Sequence, residues 1–196
     1  MMNQVFQKIN VLYKKSDQLL ASGHFGEGLW PVDMESGQMM NWLIRFFSLK
    51  RGVEVGAGVG YSTGFLVSGF LVTGGKLVSL EYFLPKVEQL EMHLKALFGT
   101  EYGQSVQIVP SSFERWIVQP GAEKYDFVFF DQRKGDYLPH LKMLMPKLKK
   151  GAFICADNVL SHRDECQDYL NFVRGDKRFE SVRFESEQGM ELSRLR

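Results

Sequence analysis

Short apolar segments alternate with longer amphipathic ones along most of this chain. Residues 3–20 and 36–47 come first and carry apolar side chains at helical spacing; strand-like and helix-like segments then follow one another. The predicted strands are residues 52–55, 76–81, 106–110, 127–130, 152–156, 181–185 and 190–195. The predicted helices between them are residues 62–71, 84–98, 113–118, 137–148 and 163–174. This alternation is typical of βαβ units, in which helices cover both faces of a mainly parallel sheet.

The C-terminal end of the pattern differs, because no helix separates the last two predicted strands. A short polar segment, residues 186–189, joins them and predicts an antiparallel hairpin at one end of the sheet. The predicted fold is therefore α/β: a Rossmann-like, doubly wound, seven-stranded and mainly parallel sheet with an antiparallel C-terminal hairpin. No repeat or linker divides the chain, so residues 1–196 are predicted to form a single domain, with residues 1–48 as an N-terminal helical segment covering the active site.

Composition and charge narrow the possible classes of protein. The 196 residues include 24 Lys and Arg against 23 Asp and Glu, and this near-neutral balance gives little support to nucleic-acid binding. The sequence predicts no signal peptide and no membrane-spanning segment. Two cysteines, Cys155 and Cys166, make a disulfide framework improbable and indicate a reducing compartment. We therefore expect a cytoplasmic protein that is a monomer or a homodimer and has no membrane partner.

Three glycines follow the first predicted strand, in the turn that leads into the next helix. Gly56, Gly58 and Gly60 allow a ligand to approach the main chain and the helix N-terminus closely. The dinucleotide fingerprint requires glycine where Tyr61 stands, which disfavours a nicotinamide-dependent dehydrogenase. Glu81 ends the second strand, where a carboxylate can accept both hydroxyls of a ribose. The set indicates a nucleoside-containing cofactor; the alternative is a tight turn that binds no ligand.

Oxygen-bearing side chains end the predicted strands 127–130 and 152–156. Asp131 follows the first of these strands, and Asp157 and Asn158 follow the second. Neighbouring parallel strands would bring the three side chains together at the edge of the sheet where ligands bind. Mg²⁺ prefers such hard oxygen ligands, so a metal site is predicted here. The alternatives are capping of a helix N-terminus and a solvated strand end.

Three other side chains are open to both a functional and a structural interpretation. Lys134 could act as a general base near a divalent cation, or it could be a solvated surface charge. His162 could lie over the substrate or on an exposed loop. Trp30 could form part of the pocket wall or pack in the core.

Several motifs of the chain resemble those of a known family. They are S-G-Q-M-M at residues 36–40, E-V-G-A-G-V-G-Y-S at 54–62, L-V-S-L-E at 77–81, F-F-D-Q-R-K-G-D-Y-L-P at 129–139, A-D-N-V-L at 156–160 and G-M-E at 189–191. From about residue 30 to residue 195 the chain resembles the catechol O-methyltransferase group of the metal-dependent, class I S-adenosylmethionine (SAM) O-methyltransferases. The run Asp-x-x-Lys-x-x-Tyr from Asp131 to Tyr137 and the terminal Glu191 are the elements more specific to the catechol branch.

The resemblance implies a Mg²⁺-dependent O-methyltransferase that moves the methyl group of SAM to a hydroxyl of a small aromatic diol. Asp131, Asp157 and Asn158 are thereby expected to bind Mg²⁺. Lys134 is expected to take the proton of the attacking hydroxyl, and Glu191 to hold the second hydroxyl. The expected SAM contacts are Val32, Glu54, Gly56, Tyr61 and Ser62 at the methionine part, Glu81 at the ribose, Ser112, Phe113 and Gln132 at the adenine, and Asp131.

The chain departs from the family pattern on the side of the acceptor. Arg133 stands where the vertebrate enzymes carry a bulky aromatic residue, and residues 159–163 lack their Pro-Gly pair. Two other functions stay open at this point. Methylation of a hydroxylated tRNA nucleoside is mildly disfavoured by the near-neutral charge. A non-catalytic SAM-binding module is disfavoured because all the residues expected for catalysis are present.

Overall fold

The computed structural model describes residues 2–21, 31–121 and 123–196 of the chain. The strands in these residues are β1 (Arg51–Val55), β2 (Lys76–Leu80), β3 (Val106–Val109), β4 (Tyr125–Phe130), β5 (Leu148–Ala156), β6 (Phe179–Phe184) and β7 (Met190–Leu195). The α-helices are α1 (Met2–Ala21), α2 (Met34–Phe46), α3 (Tyr61–Thr73), α4 (Leu84–Phe98), α5 (Phe113–Ile117), α6 (Tyr137–Leu144) and α7 (Arg163–Gly175). Short 3₁₀ helices occur at Gly99–Gln104, Lys134–Asp136 and Met145–Lys147.

The strands form one sheet in the order β3–β2–β1–β4–β5–β7–β6. Neighbours among β1 to β5 run parallel, whereas β7 is antiparallel to both β5 and β6. The predicted fold is thereby confirmed, including the antiparallel hairpin at the C-terminus. The chain moves to one side of β1 with β2 and β3 and to the other side with β4 and β5. A crevice for ligands therefore opens beyond the carboxyl ends of β1 and β4, where the direction of winding changes.

The central strand β4 shows why helices cover both faces of the sheet. Phe127, Val128, Phe129 and Phe130 are all completely buried. Because side chains alternate along a strand, Phe127 and Phe129 pack with residues of α2, α3 and α4, while Val128 and Phe130 pack with residues of α5, α6 and α7. A continuous apolar run, rather than an alternating one, is what a strand buried on both faces requires.

The boundary between α6 and β5 differs from the prediction. The predicted helix 137–148 ends as an α-helix at Leu144, because Pro146 lacks the backbone N–H that would continue the helical hydrogen bonds. After a short 3₁₀ turn, β5 begins at Leu148, earlier than the predicted strand 152–156. The extra residues lengthen the strand at the end opposite the ligand crevice, so they do not change the predicted site.

The two N-terminal helices pack on α3. Phe6 of α1 contacts Phe65 of α3, with ring centroids 5.1 Å apart. Gly37 lets α2 approach the same ring, since a Cβ atom there would lie 2.6 Å from Phe65. Trp30, a predicted candidate for the pocket wall, lies outside the described residues. Within the described residues, no helix has the length and apolar character needed to cross a membrane.

Candidate active site

A cavity of about 710 Å³ lies at the carboxyl ends of the parallel strands. Its walls come from the glycine loop, the end of β2, the beginning of α5 and the loops after β4 and β5, with Pro31 and Val32 on the N-terminal side. This volume lies in the range of ordinary small-molecule sites. The predicted site residues that line it are Val32, Gly56, Tyr61, Ser62, Glu81, Ser112, Phe113, Asp131, Gln132, Lys134 and Asn158.

The glycine loop passes very close to the loop after β4. Gly56 has a φ of +91°, and a Cβ atom on it would lie 2.5 Å from the carbonyl oxygen of Asp131. Only glycine fits there without strain. Glu81 is held beside this loop, because its Oε2 accepts from the Gly58 N–H and its Oε1 from the Phe83 N–H, both at 2.9 Å. The Glu81 carboxylate at the cavity wall is therefore fixed in direction by the protein itself.

Glu54 is the first predicted cofactor contact that the structure does not bring to the cavity. It is completely buried, and its two carboxylate oxygens accept hydrogen bonds from the hydroxyls of Ser62, Thr63 and Ser79 at 2.6 to 2.7 Å. Burial raises the pKa of Glu54, and the three hydroxyl donors oppose that rise. The carboxylate joins β1 to the start of α3 and to β2. Its contribution to the site is therefore the shape of the glycine loop, not a cavity contact.

The far end of the cavity contains a side-chain cluster that only the fold reveals. Ser112 and Phe113 stand at the start of α5, and Gln132 follows β4. Glu114 and His140 also line this end, and the rings of Phe113 and His140 stack with centroids 4.2 Å apart. No sequence signal singles out Glu114 and His140, because only the packing of α6 on α5 brings them to Gln132.

Asp131 and Lys134 form an ion pair in the cavity wall. Lys134 Nζ donates to Asp131 Oδ1 at 2.9 Å, and both side chains are about nine-tenths buried. Burial raises the pKa of Asp131, while the charge and hydrogen bond of Lys134 oppose that rise. Tyr137 supports the pair, since Lys134 Nζ lies 5.6 Å from the centre of its ring. A lysine and a carboxylate are thus placed together with little access to water.

Asp157 and Asn158 carry buried oxygen atoms that lack hydrogen-bond partners. Within the described part of the chain, the two carboxylate oxygens of Asp157 accept no hydrogen bond. The same is true of the amide oxygen Oδ1 of Asn158. Asn158 has a φ of +62°, in the left-handed region that asparagine tolerates better than most residues. Burial and, next, the charge of Asp131 raise the pKa of Asp157. Unpaired buried oxygens are unfavourable unless another group binds them.

These oxygens fit the requirements of a hard divalent cation. Two carboxylates and an amide would supply oxygen ligands at the edge of the cavity, with further positions left for other oxygens. In residues 2–21, 31–121 and 123–196, no group of three or more His, Cys, Asp or Glu side chains could hold a metal ion. The candidate set therefore depends on the amide of Asn158 as its third member. Asp157 itself is completely buried and does not line the cavity.

Glu191, the predicted contact of the second substrate hydroxyl, is not brought to the cavity either. It is completely buried on β7, and its two oxygens accept from Arg174 Nε at 2.8 Å and Arg174 Nη2 at 2.6 Å. Its side chain faces α7, which carries Arg174, and it is absent from the cavity wall. The bidentate ion pair gives Glu191 a structural role in joining α7 to the sheet. The expectation that it holds the substrate has no support in this placement.

Charged and polar side chains outside the predicted site also line the described part of the cavity. Arg133 and His162 both line it, as does Lys86, which sequence reasoning did not single out. The Arg133 guanidinium donates to both oxygens of Asp136, at 2.8 and 2.6 Å. The two stretches at which the chain departs from the family pattern therefore each contribute a residue to the cavity wall.

The doubly wound sheet, its glycine loop and the fixed carboxylate at the end of β2 define a Rossmann-like protein with a site for a nucleoside ligand. A family model described as O-methyltransferase matches residues 27–184, and the chain belongs to this family. Catechol O-methyltransferase B of Danio rerio is 31% identical over 179 residues, which are 84% of this chain and 66% of that protein. Catechol O-methyltransferase of Bos taurus is 29% identical over 163 residues, 79% of this chain and 57% of that protein. The chain thus spans about two thirds or less of the length of these two relatives.

A solved structure supports the fold independently. An O-methyltransferase from Bacillus cereus, determined in complex with SAH, superposes with a TM-score of 0.81 at 16% sequence identity. The superposition covers 97% of this chain and 91% of that one. Nearly the whole chain, including its antiparallel C-terminal strands, therefore adopts a fold found in this family.

Proposed function

We propose that the protein is a SAM-dependent O-methyltransferase that requires a divalent cation, Mg²⁺ in the simplest case, and acts on a small aromatic diol of the catechol type. The observation that carries the proposal is the set of unpaired buried oxygens of Asp157 and Asn158 next to the Asp131–Lys134 pair. The names of the relatives in zebrafish and cattle add the class of acceptor.

The cofactor half of the proposal rests on the glycine loop and Glu81. Bound SAM would supply a sulfonium methyl group, and transfer would form a carbon–oxygen bond as the carbon–sulfur bond breaks. Glu81 keeps acceptor capacity for ribose hydroxyls beyond its two backbone donors. Tyr61 and Ser62 line the wall at the start of α3, beside the glycine loop. These residues bind and orient, which supplies the alignment that an in-line displacement needs.

The metal half rests on Asp131, Asp157 and Asn158 as ligands. When bound, a cation would act as a Lewis acid that favours the ionised form of a neighbouring hydroxyl. Lys134, charged in its ion pair with Asp131, would first have to lose a proton, and its neutral Nζ would then take the proton of that hydroxyl. Its position 2.9 Å from Asp131 keeps it at the oxygen-rich edge, and its burial keeps bulk water away from the nitrogen. Asp131 thus has two duties: to bind the cation and to hold the lysine.

The N-terminal segment, residues 1–48, is proposed as the cover of this site within a single domain. Pro31 and Val32 line the cavity, and Val32 is almost completely buried. Removal of water from the reacting groups strengthens their electrostatic interactions.

A methyl-transfer screen tests the proposed function. The purified protein is incubated with methyl-labelled SAM and catechol, caffeate or a matched monophenol, each with Mg²⁺ and with excess EDTA. We expect labelled product from the diols with Mg²⁺ only, and little or none from the monophenol, because one hydroxyl offers a cation only one oxygen. Full activity in EDTA would contradict the proposed requirement for a divalent cation. Binding of SAH without turnover of any diol would contradict the proposed class of acceptor.

A further inference from the structure

The C-terminal half of α2 exposes three aromatic rings to solvent. Trp42 is 52% exposed, Phe46 65% and Phe47 43%, although large aromatic side chains are mostly buried in folded proteins. The rings of Trp42 and Phe46 stack with centroids 4.7 Å apart, and Phe46 meets Phe47 edge to face at 5.1 Å. The three rings therefore form one continuous apolar surface.

This aromatic cluster is anchored to the sheet at the end of α2. Phe47 contacts the buried ring of Phe153 on β5, with ring centroids 4.6 Å apart. The guanidinium of Arg194, on β7, lies 5.6 Å from the centre of the Phe153 ring. An exposed basic side chain of the sheet therefore adjoins the aromatic cluster.

The charges on α2 are separated along the helix. Glu35 stands in the first turn and Arg45 in the last turn, and both are exposed. At 3.6 residues per turn, Glu35, Arg45 and Phe46 all project within about 60° of the direction of Trp42. Among the residues that the structure describes, neither Glu35 nor Arg45 forms an ion pair, so both charges are available to a partner.

Neighbouring elements extend both charged ends. Ser36 Oγ donates to Ser186 Oγ at 3.0 Å, so the turn between β6 and β7, with its exposed Glu187, lies beside the first turn of α2. Arg194 lies at the opposite end, beside Phe153 and the last turn. The surface thus has an acidic end, an aromatic middle and a basic end. We call it the α2 face; it consists of Glu35, Trp42, Arg45, Phe46, Phe47, Glu187 and Arg194.

A second copy of this chain carries the charge pattern that complements the α2 face. A two-fold axis through the aromatic middle turns the copy end for end, so that the acidic end of each chain meets the basic end of the other. Antiparallel helices also bring opposite ends of their dipoles together. A membrane of anionic lipids would attract the basic end but repel the acidic end, so it matches only half of the face.

The size of the aromatic cluster shows that the charged ends must take part in such a contact. With the usual surface area of these side chains, the exposed fractions of the three rings amount to roughly 350 Å². A patch of this size on a monomer commonly marks an interaction site. Each subunit of a stable dimer buries about 800 Å². More than half of the interface therefore has to come from outside the rings, which makes the association sensitive to the charges beside them.

We propose that the protein forms a homodimer in which the α2 faces of two copies pack antiparallel, with Glu35 of each subunit opposite Arg45 of the partner subunit. The sequence leaves a monomer and a homodimer open, and the α2 face selects the homodimer. The proposal does not depend on the proposed methyl transfer. Pro31 and Val32 of the cavity wall precede α2 directly, so the interface adjoins a segment that lines the cavity.

Sedimentation velocity of charge-reversed variants over a wide range of concentration tests the proposal. We expect the wild type to have twice the mass of one chain. Glu35→Arg and Arg45→Glu should each raise the dissociation constant of the dimer by about tenfold or more, because like charges then meet twice in each dimer. An equimolar mixture of these two variants should dimerise again. One chain is then basic at both ends and the other acidic at both ends, so every contact in the mixed dimer joins opposite charges.

The aromatic middle is tested by Trp42→Ser, which should raise the dissociation constant at least as much, since central aromatic residues contribute most to interfaces. Val118→Ser removes a side chain that is 70% exposed elsewhere on the surface, and it should leave the dissociation constant unchanged. A dimer that withstands all three substitutions, or two charge variants that stay monomeric when mixed, would overturn the proposal. A monomeric wild type would overturn it as well, and its sedimentation with phosphatidylglycerol vesicles would assign the α2 face to an anionic membrane surface instead.

Discussion

Gln188 joins the amide of Asn158 to Pro31 in the wall of the cavity. Asn158 Nδ2 donates to Gln188 Oε1, and Gln188 Nε2 donates to the carbonyl oxygen of Pro31 at 3.2 Å. The backbone carbonyl of Gln188 also accepts from the N–H of Leu160 at 3.0 Å. Because the amide nitrogen of Asn158 is engaged, its Oδ1 is the atom left for the proposed cation. The turn between β6 and β7 thus fixes the orientation of a candidate ligand on another strand.

Removal of the Gln188 side chain should weaken cation binding without weakening cofactor binding. We expect Gln188→Ala to raise the dissociation constant for Mn²⁺ by about tenfold, since side chains that orient metal ligands typically contribute tenfold to a hundredfold. Mn²⁺ binding is measured by electron paramagnetic resonance, and SAH binding by calorimetry. Gln167→Ala, on the exposed face of α7, is the matched control. An unchanged Mn²⁺ affinity in Gln188→Ala would show that Asn158 needs no such support.

Loss of the Asp157 carboxylate should abolish turnover but leave cofactor binding largely intact. Asp157→Ala removes the two unpaired oxygens, and it does not touch the cavity wall at which SAM is proposed to bind. The protein should then bind SAH with nearly wild-type affinity and show no saturable Mn²⁺ binding. Calorimetry measures the SAH affinity, and electron paramagnetic resonance measures the Mn²⁺ binding. Turnover of a diol by Asp157→Ala in excess EDTA would contradict the metal site.

The sequence predicts those features of the fold and the site that a single local pattern determines. The apolar run of β4 predicts a strand buried on both faces, and the glycine spacing predicts the loop at which Gly56 meets Asp131. The motifs do not anticipate that Glu54, expected to contact the cofactor, and Glu191, expected to hold a substrate hydroxyl, both lie outside the cavity wall. Their side chains face the interior, and which way they face depends on strand register and on partners elsewhere in the chain, which no motif encodes.

The Arg174–Glu191 ion pair should contribute mainly to the stability of the fold and little to catalysis. Arg174→Met leaves a completely buried carboxylate without its partner, which we expect to lower the free energy of unfolding by roughly 3 kcal/mol. This value is at the low end for buried pairs because the Arg174 side chain is 44% exposed. Arg174→Met with Glu191→Met should recover part of the loss. Urea denaturation measures all three proteins.

Arg178→Met is the control for this experiment, because Arg178 forms a similar ion pair with Asp176 at the surface. Its stability should stay close to that of the wild type. The KM for a diol separates the two roles of Glu191. An increase in that KM in Glu191→Gln, with stability unchanged, would restore the expectation that this residue holds the substrate.

His93 should make the protein less stable in mild acid. Its Nδ1 lies 2.7 Å from the Val59 carbonyl oxygen and its Nε2 lies 3.0 Å from Gln89 Nε2, an arrangement that fits a neutral ring. Burial lowers its pKa from the ordinary value of 6.5. The unfolded chain therefore binds the proton first, so the stabilisation is complete above the unfolded pKa and is lost as the pH falls through the folded pKa. The free energy of unfolding should decrease from about pH 7 to pH 5, and less steeply in His93→Gln. Parallel curves for the two proteins would contradict this role.

Gly56→Ala should damage both the fold and the site. The new Cβ atom would lie 2.5 Å from the Asp131 carbonyl oxygen, a backbone atom that cannot yield as a flexible side chain can, and the φ of +91° adds strain. We expect a loss of about 2 to 4 kcal/mol in the free energy of unfolding, together with weaker SAH binding, because the loop after β4 must move away from the glycine loop. Gly175→Ala, at the end of α7, is the matched control, since nothing lies within 4 Å of its added Cβ atom. That variant should be as stable as the wild type or slightly more stable. Wild-type stability in Gly56→Ala would mean that the two loops do not meet as closely as the Gly56–Asp131 contact requires.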